Sequence, residues 1–329
     1  MPDPVTHYVF GRQVLDHLPQ YVRDLIDQDV FERALQGPDP WSTCGFFGAK
    51  RKKYAVRSSI MHKEKTGVYL LTLAELARQT GMREAFSLLV GTICHYCLDA
   101  LTHPYIICKG GVYDGSMQTK AYNGGHVRME RAIDSWFIRM EYGKAPWHVC
   151  IPKKIMRTKQ YPQCLRPVID TVYEEVYGWE HAFDDLNAAL RDERRFYALM
   201  QDPWGLVHYL LRPLSNGRVN YCVYSYYKRE TADERLDYLN LQHTQWHHPF
   251  DVTIESKDSF FDLFERAKCN AVTMIETVYA CMHDQRFQIS MDAFGNLDYS
   301  TGFDCNDSRN LKKPECEPLV YGSKYWNIV

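Results

Sequence analysis

The chain has 329 residues, 45% hydrophobic and 24% charged, with 39 basic against 41 acidic side chains. That composition excludes disorder as the main state, and a formal net charge of -2 excludes a whole-protein field that would gather nucleic acid or anionic lipid. Met1 to His7 hold no basic stretch followed by an apolar run, so no secretory signal is read and a cytoplasmic location is expected.

Residues from about Thr6 to Leu35 carry apolar side chains at helical spacing (Val9, Phe10, Val14, Leu18, Val22, Leu25, Ile26), with Pro19 as a break or restart; one or two helices are expected. Gln36 to Gly45 is rich in turn residues and lacks periodicity, and Arg51-Lys-Lys53 reads as a solvated basic patch, so this region is expected to be loop. Gly67 to Arg78 and Arg83 to Thr102 read as helices, the second ended by Pro104. A loop bracketed by Gly110, Gly111, Gly124 and Gly125 leads into a helix from His126 to Glu141, with Val127, Ile133, Trp136 and Phe137 as its buried stripe.

A long periodic stretch runs from Leu165 to Met200 and a final amphipathic helix from Phe260 to Met282. The pattern predicts an all-α protein: one helical domain over 1–285 and an irregular C-terminal extension over 286–329, with at most a hairpin across Phe294-Gly-Asn296. No apolar stretch approaches the roughly 20 residues of a membrane span, Phe86 to Ile93 being the best candidate. Eleven cysteines without regular spacing read as reduced thiols, and Cys94 and Cys97 as helix-packing thiols rather than half of a zinc ribbon.

The densest chemical signal is His95-x3-Asp99-x3-His103. On a helix, successive members advance about 40° around the axis and about 6 Å along it, so neighbours can converge on one ion while the third reaches the next. Composition alone would give this pattern about 0.04 times in such a chain. A core helix rarely lines up three ionisable groups without a partner for them, so metal binding is the preferred reading.

His126-x3-Glu130 is weaker, since about 0.7 such pairs arise by chance at this spacing. His181-x3-Asp185 has the same geometry. His243-x3-His247-x3-Asp251 mimics the first cluster, but Pro249 would break the helix that must align it. Asp39, in a Gly-Pro-Asp-Pro turn, His62 and His7 are uninformative alone. The aromatic stretches Tyr221 to Tyr227 and Tyr238 to Pro249 read mostly as packing, with Trp246 or His247 as candidates for a cleft mouth; Arg194 and Arg195 read as a solvated charged face.

In chain order, His7, Asp39, His62, His95, Asp99, His103, His126 and Glu130 resemble the ligand set of the zinc-dependent phospholipase C family, over roughly residues 1–140. The four-residue step from Asp99 to His103 is similar to that of the amino-terminal zinc domain of glycosylphosphatidylinositol-specific phospholipase D. The resemblance implies an all-α fold, shared with single-strand nucleases, whose cleft holds two or three zinc ions. Asp39, His62, His95 and Asp99 would hold one ion, His103, His126 and Glu130 a second, and Asp99 would bridge towards a third held with His7. Secreted members use a mature N-terminal Trp at that third ion; here Asp3 or the imino terminus of Pro2 is the available substitute. Asp39 is implied as the catalytic residue, the general base for a zinc-held water.

The implied activity is phosphoester hydrolysis on a substrate that includes phospholipid as a candidate, with peripheral membrane contact; the sequence gives no strong nucleic-acid signal. Two alternatives stay open: a nuclease or nucleotidase with the same metals, and a non-catalytic metal-binding protein whose ligands only stabilise the helices.

Overall fold

The computed structural model describes residues 4–45, 51–211, 213, 224–226, 236–284 and 288–319. Among them thirteen α-helices and one two-stranded sheet are found: α1 Pro4–His17, α2 Gln20–Arg23, α3 Gln28–Ala34, α4 Pro40–Thr43, α5 Arg51–Lys63, α6 Thr66–Thr80, α7 Arg83–Gly110, α8 Gly125–Tyr142, α9 Ile151–Lys154, α10 Arg166–Tyr177, α11 Ala182–Met200, α12 Leu206–Leu211, β1 Trp246–His248, β2 Asp251–Ser256 and α13 Phe260–His283. The protein is all-α, as the periodicity implies.

The axle of the fold is α7. Its 28 residues are almost all buried, with α1, α3, α6, α8 and α13 packed around it and β1 beside it. Among the described residues it alone is long and apolar enough to cross a membrane, but 94% of its apolar window is buried inside the protein, as for a core helix. Pro104 does not end it; the helix continues to Gly110. A proline inside a helix removes one hydrogen bond and costs about 3 kcal/mol, and burial of the flanking side chains from Thr102 to Gly110 outweighs that.

Four further expectations are corrected. Arg51-Lys-Lys53 opens a helix, Arg51–Lys63, rather than lying in loop: the helix's buried stripe, Tyr54, Arg57, Ser58, Met61 and His62, has helical spacing but is largely polar, so hydropathy does not reveal it. The expected loop over Gln36 to Gly45 contains the single turn α4. The stretch from Leu165 to Met200 is two helices, because Gly178 takes a left-handed conformation (φ 69°) and closes α10. On α8, Ile133 and Phe137 are buried as expected, together with Met129 and Ile138, while Val127 and Trp136 are only half-buried.

The described hairpin is β1–β2, turning at Pro249 and Phe250. This disposes of the His243, His247, Asp251 decoy as a helical cluster: His247 lies on β1 and Asp251 on β2. Around Phe294 to Asn296 the chain instead forms a 3-10 turn, Met291–Ala293, and then a single bridge between Leu297 and Asp304.

Residues 288–319 lie against the helices. The Tyr96 hydroxyl donates to the Phe294 carbonyl (2.8 Å) and accepts from Leu297 N (3.0 Å). The backbone N–H groups of Glu317 and Leu319 reach the Cys108 and Lys109 carbonyls, both at 2.9 Å. Trp246 is buried against Tyr105, with its indole N–H on the Asp258 carbonyl, and so packs in the core, while the partly exposed His247 pairs with Glu317. Of the Tyr221 to Tyr227 stretch only Tyr224 to Tyr226 are described, and Tyr226 is buried. Cys94 and Cys97 are free and buried, burial raising both thiols, which suits packing.

Candidate metal centre

Four segments meet at the His95, Asp99 and His103 face of α7. The N-terminus of α1 is docked on α8 by the Asp134 carboxylate, which accepts from Thr6 N (2.7 Å), Val5 N (3.2 Å) and the Thr6 hydroxyl (2.7 Å), and the next residue is His7. The turn before α4 carries Asp39. It passes close to α7 because Gly37 has φ +47° and no side chain: a Cβ there would lie 2.5 Å from the His95 ring. The last turn of α5 brings His62. Finally, α8 starts hard against the end of α7, where a Cβ on Gly125 would lie 2.1 Å from the Gly110 carbonyl oxygen, and this contact sets His126 and Glu130 beside His103.

All eight sequence-selected residues converge. Three groups could each hold a metal ion, with ligand atoms within 4.8 Å of one another: His7, His95 and Asp99; Asp39, His62 and His95; and His103, His126 and Glu130. Asp99 is the hub. Its Oδ1 lies 3.3 Å from His7 Nε2, and its Oδ2 lies 3.2 Å from His95 Nε2, 3.8 Å from His62 Nε2 and 3.8 Å from His103 Nδ1. Asp39 Oδ1 is 3.3 Å from His62 Nε2 and 3.9 Å from His95 Nε2. In the outer group His126 Nε2 is 2.8 Å from Glu130 Oε1 and 3.4 Å from His103 Nε2.

The orientation of two imidazoles is fixed from behind. His95 Nδ1 donates to the Leu35 carbonyl (3.1 Å) and His62 Nδ1 to the Ser58 carbonyl (2.6 Å), which leaves each Nε2 with its lone pair facing inward. Buried polar atoms are almost always hydrogen-bonded in folded proteins. Here Nε2 of His7, His62 and His95, Oδ1 of Asp39 and both oxygens of Asp99 are buried without a hydrogen-bond partner and face one another. A cluster of imidazole nitrogens and carboxylate oxygens in that state is the donor set that Zn²⁺ takes.

Protonation preferences agree at His7, His62 and His103, whereas at His95 burial lowers the pKa but Asp99 and Asp39 outweigh it and raise it. Burial pushes His7 down to about 4, with His95 adding to the effect, and burial pushes His103 down to about 3 and lowers His62, so these rings stay neutral and able to ligate. Burial would raise Asp99, but His95 and His103 and the contacts from His7 and His95 outweigh it and hold the carboxyl well below its ordinary range. Burial raises Asp39 well above that range, the opposite direction to Asp99. The side chains of His7, His62, His95 and Asp99 are buried and that of Asp39 nearly so, whereas that of His126 is 32% exposed and marks the open side.

The remaining sequence candidates lie elsewhere. His181 precedes α11, and Asp185 accepts from Tyr54 and Arg57. Arg194 donates to the Met156 carbonyl and Arg195 pairs with Asp192 at the surface. Asp3 and Pro2 fall outside the described residues. The sequence did not single out Tyr299, whose ring packs on His62 and His95; no spacing rule connects residues so far apart in the chain.

No curated protein and no solved structure matches this chain. Residues 6–183, just over half of it, match the family model described as zinc dependent phospholipase C, and this span contains every residue of the convergent set. The chain belongs to the zinc-dependent phospholipase C family.

Proposed function

We propose that this protein hydrolyses a phosphodiester of the phospholipid headgroup class, with His7, Asp39, His62, His95, Asp99, His103, His126 and Glu130 holding two or three zinc ions. The observation that carries the reading is the inward convergence of buried, unpartnered imidazole and carboxylate atoms from α1, the Asp39 turn, α5 and α7. Bound zinc would acidify a coordinated water and neutralise the phosphate oxygens as charge develops.

The side chains divide the remaining work. Asp39, beside His62 and His95, accepts the proton of the attacking water and orients it. The Leu35 and Ser58 carbonyls hold His95 and His62 in one tautomer, so little reorganisation is needed when charge moves. The exposed flank of His126 leaves a side from which a headgroup phosphate can approach without opening the core.

Metal analysis of the purified chain, followed by assays on phosphatidylcholine and phosphatidylinositol vesicles, a bis-aryl phosphodiester and single-stranded DNA, tests the proposal. Two or more zinc per chain with zinc-dependent release of a phosphorylated headgroup is expected. Cleavage of single-stranded DNA alone would replace the lipid reading with a nuclease. Bound zinc without turnover on any substrate would leave a metal-stabilised helical protein.

A further inference from the structure

The family match ends at residue 183, yet the centre is buttressed from far beyond it. Tyr299, 2% exposed, meets the His62 ring edge-on, with centroids 5.2 Å apart and planes at 75°, and lies 5.7 Å from the His95 ring. Its backbone N–H donates to the His62 carbonyl at 2.8 Å. That carbonyl belongs to the last turn of α5, where helix carbonyls lack an intrahelical donor. Tyr299 therefore closes the C-terminus of α5 at the candidate ligand itself and bounds the swing of two candidate ligand rings.

The chain around Tyr299 is clipped to the helices on either side of these rings. Asn296 Oδ1 accepts from Gly67 N (3.1 Å) and the Leu297 carbonyl accepts from the Thr66 hydroxyl (2.8 Å), both at the start of α6. The Tyr96 hydroxyl holds Phe294 and Leu297 next to His95 on α7. By contrast, no ring contact of Tyr299 involves His103 or His126, so its influence is confined to the inner part of the centre.

We propose that residues 294–299 are a working part of the metal centre and that Tyr299 is a positioning residue for His62 and His95. Groups that orient a ligand from behind typically change metal affinity 10–100-fold when removed, because the ligand must then give up its own freedom on binding. This inference rests on the zinc-binding reading of His62 and His95 given above.

The test is zinc affinity of the full chain by chelator competition, with the cobalt(II) spectrum as a second readout, in wild type, Tyr299→Leu and Tyr299→Phe. Tyr299→Leu should weaken the inner ion by about 10–100-fold and alter its cobalt spectrum while the ion at His103, His126 and Glu130 is held as before. Tyr299→Phe, which keeps the ring, should stay within about twofold of wild type. Unchanged affinity in Tyr299→Leu overturns the inference, and so does equal weakening of both ions in step with a lower melting temperature of the metal-free protein. Should Tyr299→Leu fail to fold, Asn296→Ala, which frees the clip at Gly67, must still weaken the inner ion selectively or the inference falls. Wild type without bound zinc would remove this inference and the proposed function together. Zinc held tightly and sensitively to Tyr299, with no phosphoester cleaved, would remove only the hydrolase.

Discussion

The rings of His7 and His95 are stacked, with centroids 4.2 Å and planes 15° apart, and each directs Nε2 at a different oxygen of Asp99. Two imidazolium ions at that separation repel; burial and the neighbouring His95 keep His7 neutral, and His95 and His103 hold Asp99 ionised against the effect of burial. Asp99→Asn puts an amide where one of the two oxygens now faces histidine nitrogens. Zinc affinity of the inner centre should fall by about a hundredfold or more, a loss at least as large as that for a supporting residue, as read by chelator competition. Near-wild-type affinity would show that Asp99 is not the hub.

Asp39 has a different role and its variant a different signature. Asp39→Asn retains an oxygen towards His62 and His95 but cannot take a proton. Turnover measured at saturating zinc should drop about 10²–10⁴-fold. Unaltered turnover would remove the base assignment and leave the ligand assignment standing.

A pair of glycine variants separates backbone strain from site geometry. Gly37 and Gly81 have left-handed φ of +47° and +60°, but only Gly37 faces the His95 ring, while a Cβ on Gly81 meets nothing within 4 Å. Each change to Ala should cost about 1–2 kcal/mol for the left-handed backbone. Gly37→Ala should additionally weaken zinc binding, and Gly81→Ala should leave it untouched. Melting curves of the metal-free forms together with zinc titrations read both effects.

Behind the Asp39 turn, Arg33 on α3 and Glu193 on α11 form a buried ion pair, both side chains 2% exposed. Arg33→Met strands the Glu193 charge and should cost about 3–5 kcal/mol. The double variant Arg33→Met with Glu193→Leu should recover most of that, because it removes the stranded charge together with its partner. Denaturant unfolding of the three variants settles the comparison; equal losses in the single and double variants would mean that packing, not charge, sets the cost.

A pH effect is expected at the clasp between the hairpin and the C-terminal segment. His248 donates from Nε2 to the Thr301 carbonyl (2.8 Å) and accepts at Nδ1 from Phe250 N (3.2 Å), a pattern only the neutral ring can make. Burial lowers its pKa below the ordinary 6.5. With the folded value below the unfolded one, this contribution to stability is complete above pH 6.5 and is lost as pH falls from there towards the folded value. Amide exchange at Phe250, corrected for intrinsic rate, should therefore accelerate on acidification in wild type and lose that dependence in His248→Gln.

The helices whose apolar residues recur at helical spacing, α1, α6, α7, α8 and α13, were legible in the chain because burial imposes that spacing. The helix bearing His62 was not, since Arg57, Ser58 and His62 occupy positions where a periodicity search looks for aliphatic side chains. At the site, His95, Asp99 and His103 were visible because one helix spaces them. His7, Asp39 and His62 carry no local signal and were found only through their order along the chain. Tyr299 and the Leu35 carbonyl could not be found in that way: the first acts from a remote segment, and the second is backbone that any residue could supply.

The amide of Tyr299 meets the His62 carbonyl across most of the polypeptide's length. Contacts of such long sequence separation are entropically costly to close and form late in folding. During synthesis on a ribosome, the histidines of the first 130 residues emerge well before the tyrosine that steadies two of them. A nascent chain can thus gather the imidazoles before it can lock them, and the pocket reaches its final rigidity only once Tyr299 has emerged.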